Sequence, residues 1–222
     1  MTDAREQVRR RRSRIIRRLL RWGRNNSREF DWRDVSRHPY DVLIAEILLK
    51  RTTSTAAARL YPLFLRQFPS VDAIAEAPMA SLQEALKPVG LYRQRAQGLK
   101  ALAEYLCDAH GGEIPSTVTS LEKVPHAGPY VARAVSSFAF GRRAAIVDSN
   151  VARILRRLLR SSLDPTASDR ALQKLADELL PNKEHRLFNY AMLDLGATIC
   201  RYVRPRCRAC PLRPTCDYGQ AN

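Results

Sequence analysis

The sequence predicts an all-α protein, and three observations carry that prediction. Apolar residues recur at three- and four-residue spacing along most of the 222 positions. Breakers built on proline and glycine separate those stretches. No run alternates over enough residues to make a convincing strand.

Taken in order, the first expected helix covers 4–23, where Ile15, Ile16, Leu19 and Leu20 share one face and arginines cover the rest. His38-Pro39 opens a helix over 39–57. Pro69 and Pro78 bracket 70–77, and the next stretch, 79–87, runs into Pro88-Val89-Gly90. A long helix over 92–110 stops at Gly111-Gly112; Cys107 stands alone in it and reads as a small core residue. A short helix over 117–122 precedes Pro125, Gly128-Pro129 opens 129–140, and Gly141 closes it. Helices over 149–160, 168–180 and 184–198 follow, with Pro165 and Pro181 between them. No repeat or low-complexity linker interrupts the series, so the helices are expected to pack as one compact body.

Thirty-eight Lys and Arg stand against 22 Asp and Glu, a net charge of +16. Such an excess favours a polyanionic partner. A membrane surface is the other anionic candidate, but no apolar run approaches the roughly 20 residues that span a bilayer. Residues 1–24 hold ten Arg, with Asp3 and Glu6 as their only acids. Those acids and the single Ser argue against a transit peptide, and Arg17 and Arg18 interrupt any signal-peptide core. The expectation is a cytoplasmic, nucleoid-associated monomer with no membrane contact.

Four of the five cysteines crowd into one loop as Cys200-x6-Cys207-x2-Cys210-x5-Cys216. In a reducing compartment such a cluster signals metal rather than disulfides. Four thiolates suit a [4Fe–4S] cluster or tetrahedral zinc. Zinc ribbons present two close pairs across a long gap, whereas only Cys207 and Cys210 are close here, and that spacing favours iron–sulfur. Arg201, Arg204, Arg206, Arg208 and Arg213 decorate the loop. They either form a cationic knob for phosphates or offset the charge of the cluster.

Residues 121–135 read as helix, tight turn, helix, with His126, Gly128 and Pro129 in the turn. Unpaired amides at the start of the second helix, with the helix dipole, make a phosphate site that ignores base sequence. Beyond Gly141 comes Arg142-Arg143-Ala-Ala-Ile-Val-Asp148-Ser149-Asn150. Asp148 is suited first to cap a helix beginning near Asn150, and a carboxylate at that place is also able to face a bound sugar.

Together these pieces resemble the endonuclease III and adenine mismatch glycosylase superfamily of helix-hairpin-helix DNA glycosylases, over nearly the whole chain. Glu29-Phe-Asp-Trp32-Arg33 with Pro39-Tyr40, Leu43-Ile-Ala-Glu46-Ile-Leu-Leu-Lys50-Arg51-Thr-Thr and Val89-Gly-Leu-Tyr92-Arg-Gln-Arg-Ala carry the first half of the likeness. Val124 to Ala132, Val147-Asp148, Phe188-Asn189-Tyr-Ala-Met-Leu-Asp194-Leu-Gly196 and the cysteines carry the second. One departure stands out: His126 occupies the place of the family's first hairpin glycine.

The resemblance implies two helical subdomains. One is a six-helix body over 31–140 with the hairpin at about 121–135; the other joins 1–30 to 141–222 and holds the cluster loop, 200–216. It implies double-stranded DNA with a mismatched or damaged base as partner and a [4Fe–4S] cluster on Cys200, Cys207, Cys210 and Cys216. A base inside a duplex must be extruded and its gap filled. Arg51 stands where the family inserts a wedge, with Lys50 beside it and His126, Gly128 and Tyr130 on the hairpin side. Asp148 is implied as the acid that stabilises positive charge on the sugar or orients water. Bifunctional relatives attack the sugar with a lysine at the position of Tyr130; a phenol forms no Schiff base, which implies a monofunctional enzyme. Tyr130, Asp148 and the stretch from Glu46 resemble most the thymine mismatch glycosylases that remove T or U opposite G. An adenine or other damaged-base glycosylase, or a non-catalytic lesion-binding protein of the same fold, are the alternatives. Glu46 either orients the flipped base or a water, or is a buried helix acid with a partner.

Overall fold

A computed structural model describes residues 2–222, and among them regular structure is entirely helical. In chain order the α-helices are α1 (Thr2–Asn26), α2 (Pro39–Leu49), α3 (Ser54–Gln67), α4 (Val71–Glu76), α5 (Met79–Leu86) and α6 (Tyr92–His110). They continue with α7 (Val118–Leu121), α8 (Gly128–Phe138), α9 (Ser149–Leu158), α10 (Asp169–Leu179), α11 (His185–Thr198) and α12 (Asp217–Gln220). Two compact units divide these residues: a central one, Glu29–Arg142, and a terminal one, Met1–Arg28 with Arg143–Asn222. Each has its own apolar core.

The sequence predicts one helix over 39–57; the structure breaks it at Lys50–Thr53. Thr53 is the reason. Its hydroxyl accepts from Ala56 N at 3.3 Å and starts α3 afresh, and α3 then runs on past the predicted end to Gln67. Ser70, Thr117 and Ser168 start α4, α7 and α10 by the same chemistry. Gly111 ends α6 in the left-handed conformation, with its N–H on Cys107 O and that of Gly112 on Leu106 O. Cys107 is half-buried rather than enclosed, and its thiol lies 3.4 Å from Asp72 Oδ1.

In the central unit α2 is buried at Tyr40 and from Val42 to Leu48, with Pro39, Asp41 and Leu49 half-covered. It is apolar all round because neighbours enclose it: Tyr61 and Phe64 from α3, Leu99 and Leu102 from α6, Val131 and Val135 from α8 share its cluster. In the terminal unit, Ile15 and Leu19 of α1 share a core with Leu172 and Leu175 of α10 and Ala191 and Leu195 of α11. Gly23 brings α1 against α11, since a Cβ there would stand 2.8 Å from Ala191 Cβ. Among the described residues no helix is long and apolar enough to cross a membrane.

Candidate nucleic-acid interface and active site

The candidate interface of the central unit is assembled around Arg95 of α6. Its guanidinium donates to Ile47 O at 3.2 Å, to Lys50 O, and to Thr52 Oγ1 at 2.6 Å, so it satisfies carbonyls that α2 leaves open at its C-terminus. Its Nε donates to Gly90 O at 3.0 Å and ties in the turn before α6. Each tethered turn holds a non-glycine residue in the left-handed region, Arg51 at φ 53° and Leu91 at φ 50°. These turns and the hairpin line a cavity of about 330 Å³ that brings together Lys50, Arg51, Leu91, Arg95, Gly98 and His126. Burial, with Arg95 and Arg51 close by, lowers the Lys50 pKa below the usual lysine value; its ammonium donates to His126 O at 2.8 Å.

The hairpin consists of α7, a turn and α8. His126 sits at φ 61° and Gly128 at φ 68°, so the histidine takes the left-handed conformation that glycine adopts without strain. Histidine is among the non-glycine residues enriched there, and here its ring rests on α6. A Cβ built on Gly98 would lie 3.0 Å from His126 Nδ1. Gly98→Ala should therefore destabilise by about 1 kcal/mol although alanine is the better helix former. In a His126→Gly background the same change should stabilise, a coupling of about 1–2 kcal/mol read by denaturant titration of all four proteins. Additive effects would mean the ring does not rest on Gly98. The α8 N-terminus carries no side-chain cap, Pro129 stands in its first turn, and Tyr130 follows, half-buried. Glu46 is buried in α2.

Asp148 belongs to the terminal unit and precedes α9. An extended segment leads to it, held by Asn189 of α11, whose amide accepts from Ile146 N and donates to Ala144 O at 2.9 Å. Gly196 lets α11 approach the start of α9, because a Cβ there would stand 2.6 Å from Asn150 Cβ. The Asp148 carboxylate accepts from Val151 N at 2.7 Å and from Asn150 Nδ2 at 2.8 Å. It caps α9, as its position in the sequence allows. Capping occupies only part of a carboxylate's four lone-pair sites.

Farther along the same helix, Arg153 donates to Cys200 O at 2.8 Å and to Gly196 O, and Arg157 donates to Arg201 O at 2.7 Å and to Tyr202 O. Those bonds fasten the cysteine loop to α9. Cys200, Cys207, Cys210 and Cys216 line one cavity there, with Arg157 Nη1 3.4 Å from Cys200 Sγ and Gly219 N 3.4 Å from Cys216 Sγ. Among the described residues no three His, Cys, Asp or Glu side chains meet closely enough to hold one ion. Burial pushes the Cys210 thiol up to about 11, with the other three thiols adding. Sequence reasoning missed Arg95, Gly98, Asn150 and Asn189 as structural parts of these sites. Arg95 and Asn189 lay inside stretches that carried the family resemblance, and nothing marked Gly98 or Asn150.

Three comparisons with known proteins bear on this arrangement. The family described as HhH-GPD superfamily base excision DNA repair protein matches residues 44–181. A thymine/uracil-DNA glycosylase from Methanothermobacter thermautotrophicus is 34% identical over 201 residues, 90% of each chain. The solved structure of a thermostable thymine-DNA glycosylase superposes with a TM-score of 0.89 at 32% identity, covering 97% of this chain and 99% of that one. A non-covalent endonuclease III–DNA complex superposes at 0.80 with 26% identity, covering 93% and 96%.

Proposed function

The chain belongs to the HhH-GPD superfamily of base excision DNA repair proteins, and from that membership we propose that it is a monofunctional DNA glycosylase that removes thymine or uracil mispaired with guanine in double-stranded DNA. The observation that carries the base assignment is the likeness, along 90% of both chains, to a thymine/uracil-DNA glycosylase. Thymine and uracil differ by one methyl group, worth roughly 1–3 kcal/mol of discrimination at most, so one pocket takes both.

In this reading Lys50, His126, Gly128 and Tyr130 meet the DNA backbone, and Arg51 fills the gap left by the extruded nucleotide. Glu46 orients the flipped base or a water. Breaking the N-glycosidic bond builds positive charge on the sugar, and the Asp148 carboxylate opposes that charge or holds the attacking water. Its bonds to Val151 N and Asn150 fix the direction in which it points. The Tyr130 phenol has no amine with which to form a Schiff base, so the product is an abasic site in an unbroken strand.

The four cysteines fit a [4Fe–4S] cluster. Each thiolate of such a cluster binds a different iron, so its ligands stand around a cavity rather than meeting at one ion. Donors from Arg157 and Gly219 already point at two of the sulfurs. When bound, the cluster supplies iron–thiolate links that cross-brace the loop, which α9 grips through Arg153 and Arg157.

Duplexes holding G·T, G·U and A·8-oxoguanine pairs, analysed with and without alkali, test the reading. Breaks at the first two only after alkali are expected. Breaks without alkali would refute the assignment of Tyr130. Cleavage confined to A·8-oxoguanine would refute the choice of base.

A further inference from the structure

Nine of the ten arginines of α1 fall into two groups, and Arg9, also exposed, lies outside both. Arg5 and Arg11 form ion pairs with Glu178 and Asp217, Arg12 donates to Glu178 O and Leu180 O at 2.7 Å each, and Arg24 pairs with Glu184 at 2.6 Å. Those four stitch the helix to its own unit. Arg10, Arg14, Arg17, Arg18 and Arg21 are all exposed, and none has an ion pair or hydrogen bond among the described residues. At about 100° per residue they fall within one arc of roughly 100°, spread over about 16 Å of helix. They form a ridge of like charge.

Such a ridge is costly where it stands. Arg10 and Arg14, Arg14 and Arg18, and Arg17 and Arg21 are four apart, and each such like pair destabilises a helix by a few tenths of a kcal/mol. A polyanion laid along the ridge removes that repulsion. The opposite face carries Ala4, Val8, Ile15 and Leu19, all fully buried in the core, so α1 has no apolar side left to insert into a bilayer. Its available chemistry is a row of guanidinium donors. A duplex offers about one phosphate per 1.7 Å of axis, a density that suits such a row.

We propose that the exposed arginine ridge of α1 docks on the phosphate backbone of duplex DNA as a non-specific anchoring surface, on an element separate from the hairpin and from the helix that Asp148 caps. The inference rests on DNA being the partner and not on the base removed. The ridge reads no sequence; it raises the time the protein spends on undamaged duplex and contributes to every encounter equally.

The experiment compares the full-length protein with a variant carrying Arg10→Gln, Arg14→Gln, Arg17→Gln and Arg21→Gln, using undamaged duplex over a range of salt. Glutamine keeps the helix, and removal of like charge should leave thermal stability unchanged or higher. Each phosphate contact contributes about 0.9 to the slope of log K against log salt, so the slope should fall by about 3–4 in magnitude. A fourfold rise in salt should then cost the native protein about a hundredfold more affinity than the variant. On a G·U duplex at saturating protein, the single-turnover rate of base release should stay within twofold of native. An unchanged slope overturns the ridge as a DNA surface. So does weakened binding to vesicles of phosphatidylserine and phosphatidylcholine with an unchanged duplex slope, which assigns it to a lipid surface. Loss of base release on G·U by the native protein, with the slope still falling in the variant, would sink the glycosylase reading and leave the ridge standing.

Discussion

Asp148→Asn is expected to bind a G·U duplex as the native protein does while releasing base about a thousandfold more slowly. The structure makes this variant informative because the carboxylate has a structural task as well. It starts α9 by accepting from Val151 N. Asparagine caps helices as well as aspartate does, so that bond survives. Asn150 Nδ2 loses its acceptor, which costs at most about 1 kcal/mol. Charge is thereby separated from capping. Asp148→Ala removes both, and should lose the same rate and about 1 kcal/mol of stability besides. Single-turnover kinetics and thermal melts measure the two effects. A normal rate in the Asn variant would reduce the acid to a helix cap.

Arg28→Ala is expected to be the most destabilising single change outside the apolar cores. Asp194 is fully buried in α11, and its carboxylate takes Arg28 Nε at 2.6 Å and Arg28 N at 3.0 Å. Charge enclosed without its counterion is the expensive case, whereas an apolar replacement of both partners is close to neutral. The single variant should lose about 3 kcal/mol, discounted for the partial exposure of Arg28. In a chain this long that lowers Tm by roughly 6–12 °C. Arg28→Met with Asp194→Leu should recover much of it. A loss under about 1 kcal/mol, or no recovery in the double variant, would show that other partners hold Asp194.

Periodicity made most of the fold legible because most of these helices bury one stripe. The spacing that predicts 92–110 or 184–198 is the spacing of residues that meet a core, and α6 and α11 begin and end within a residue or so of those limits. It failed at 50–53, where a polar cluster interrupts an apolar run without any proline or glycine. The break there depends on one hydroxyl, that of Thr53, whose capping role differs from surface polarity only once the backbone turns. Periodicity also did not separate the two cores, since they are a matter of which stripes face each other, and a stripe does not name its partner.

The site was legible where chemistry depends on residue type and obscure where it depends on neighbours. Four cysteines at metal-like spacing and an acid after the hairpin announce themselves. His126 did not reveal that it preserves the left-handed turn, because the compensating feature is an absent side chain 28 positions earlier, at Gly98. Arg95 is one arginine among many in the sequence. Its value lies in four backbone carbonyls that only tertiary structure gathers.

The clamp made by Arg95 also sets an order of assembly. The turn at Lys50 is synthesised well before the guanidinium that completes it, which lies 45 positions further along. Until α6 docks, the last carbonyls of α2 have only water and the weak bonds of the turn itself, and the turn at Arg51 lacks its brace. The shape of this turn therefore matures late, after the flanking helices have been made, and a nascent chain cut short of α6 carries Arg51 without the frame that aims it.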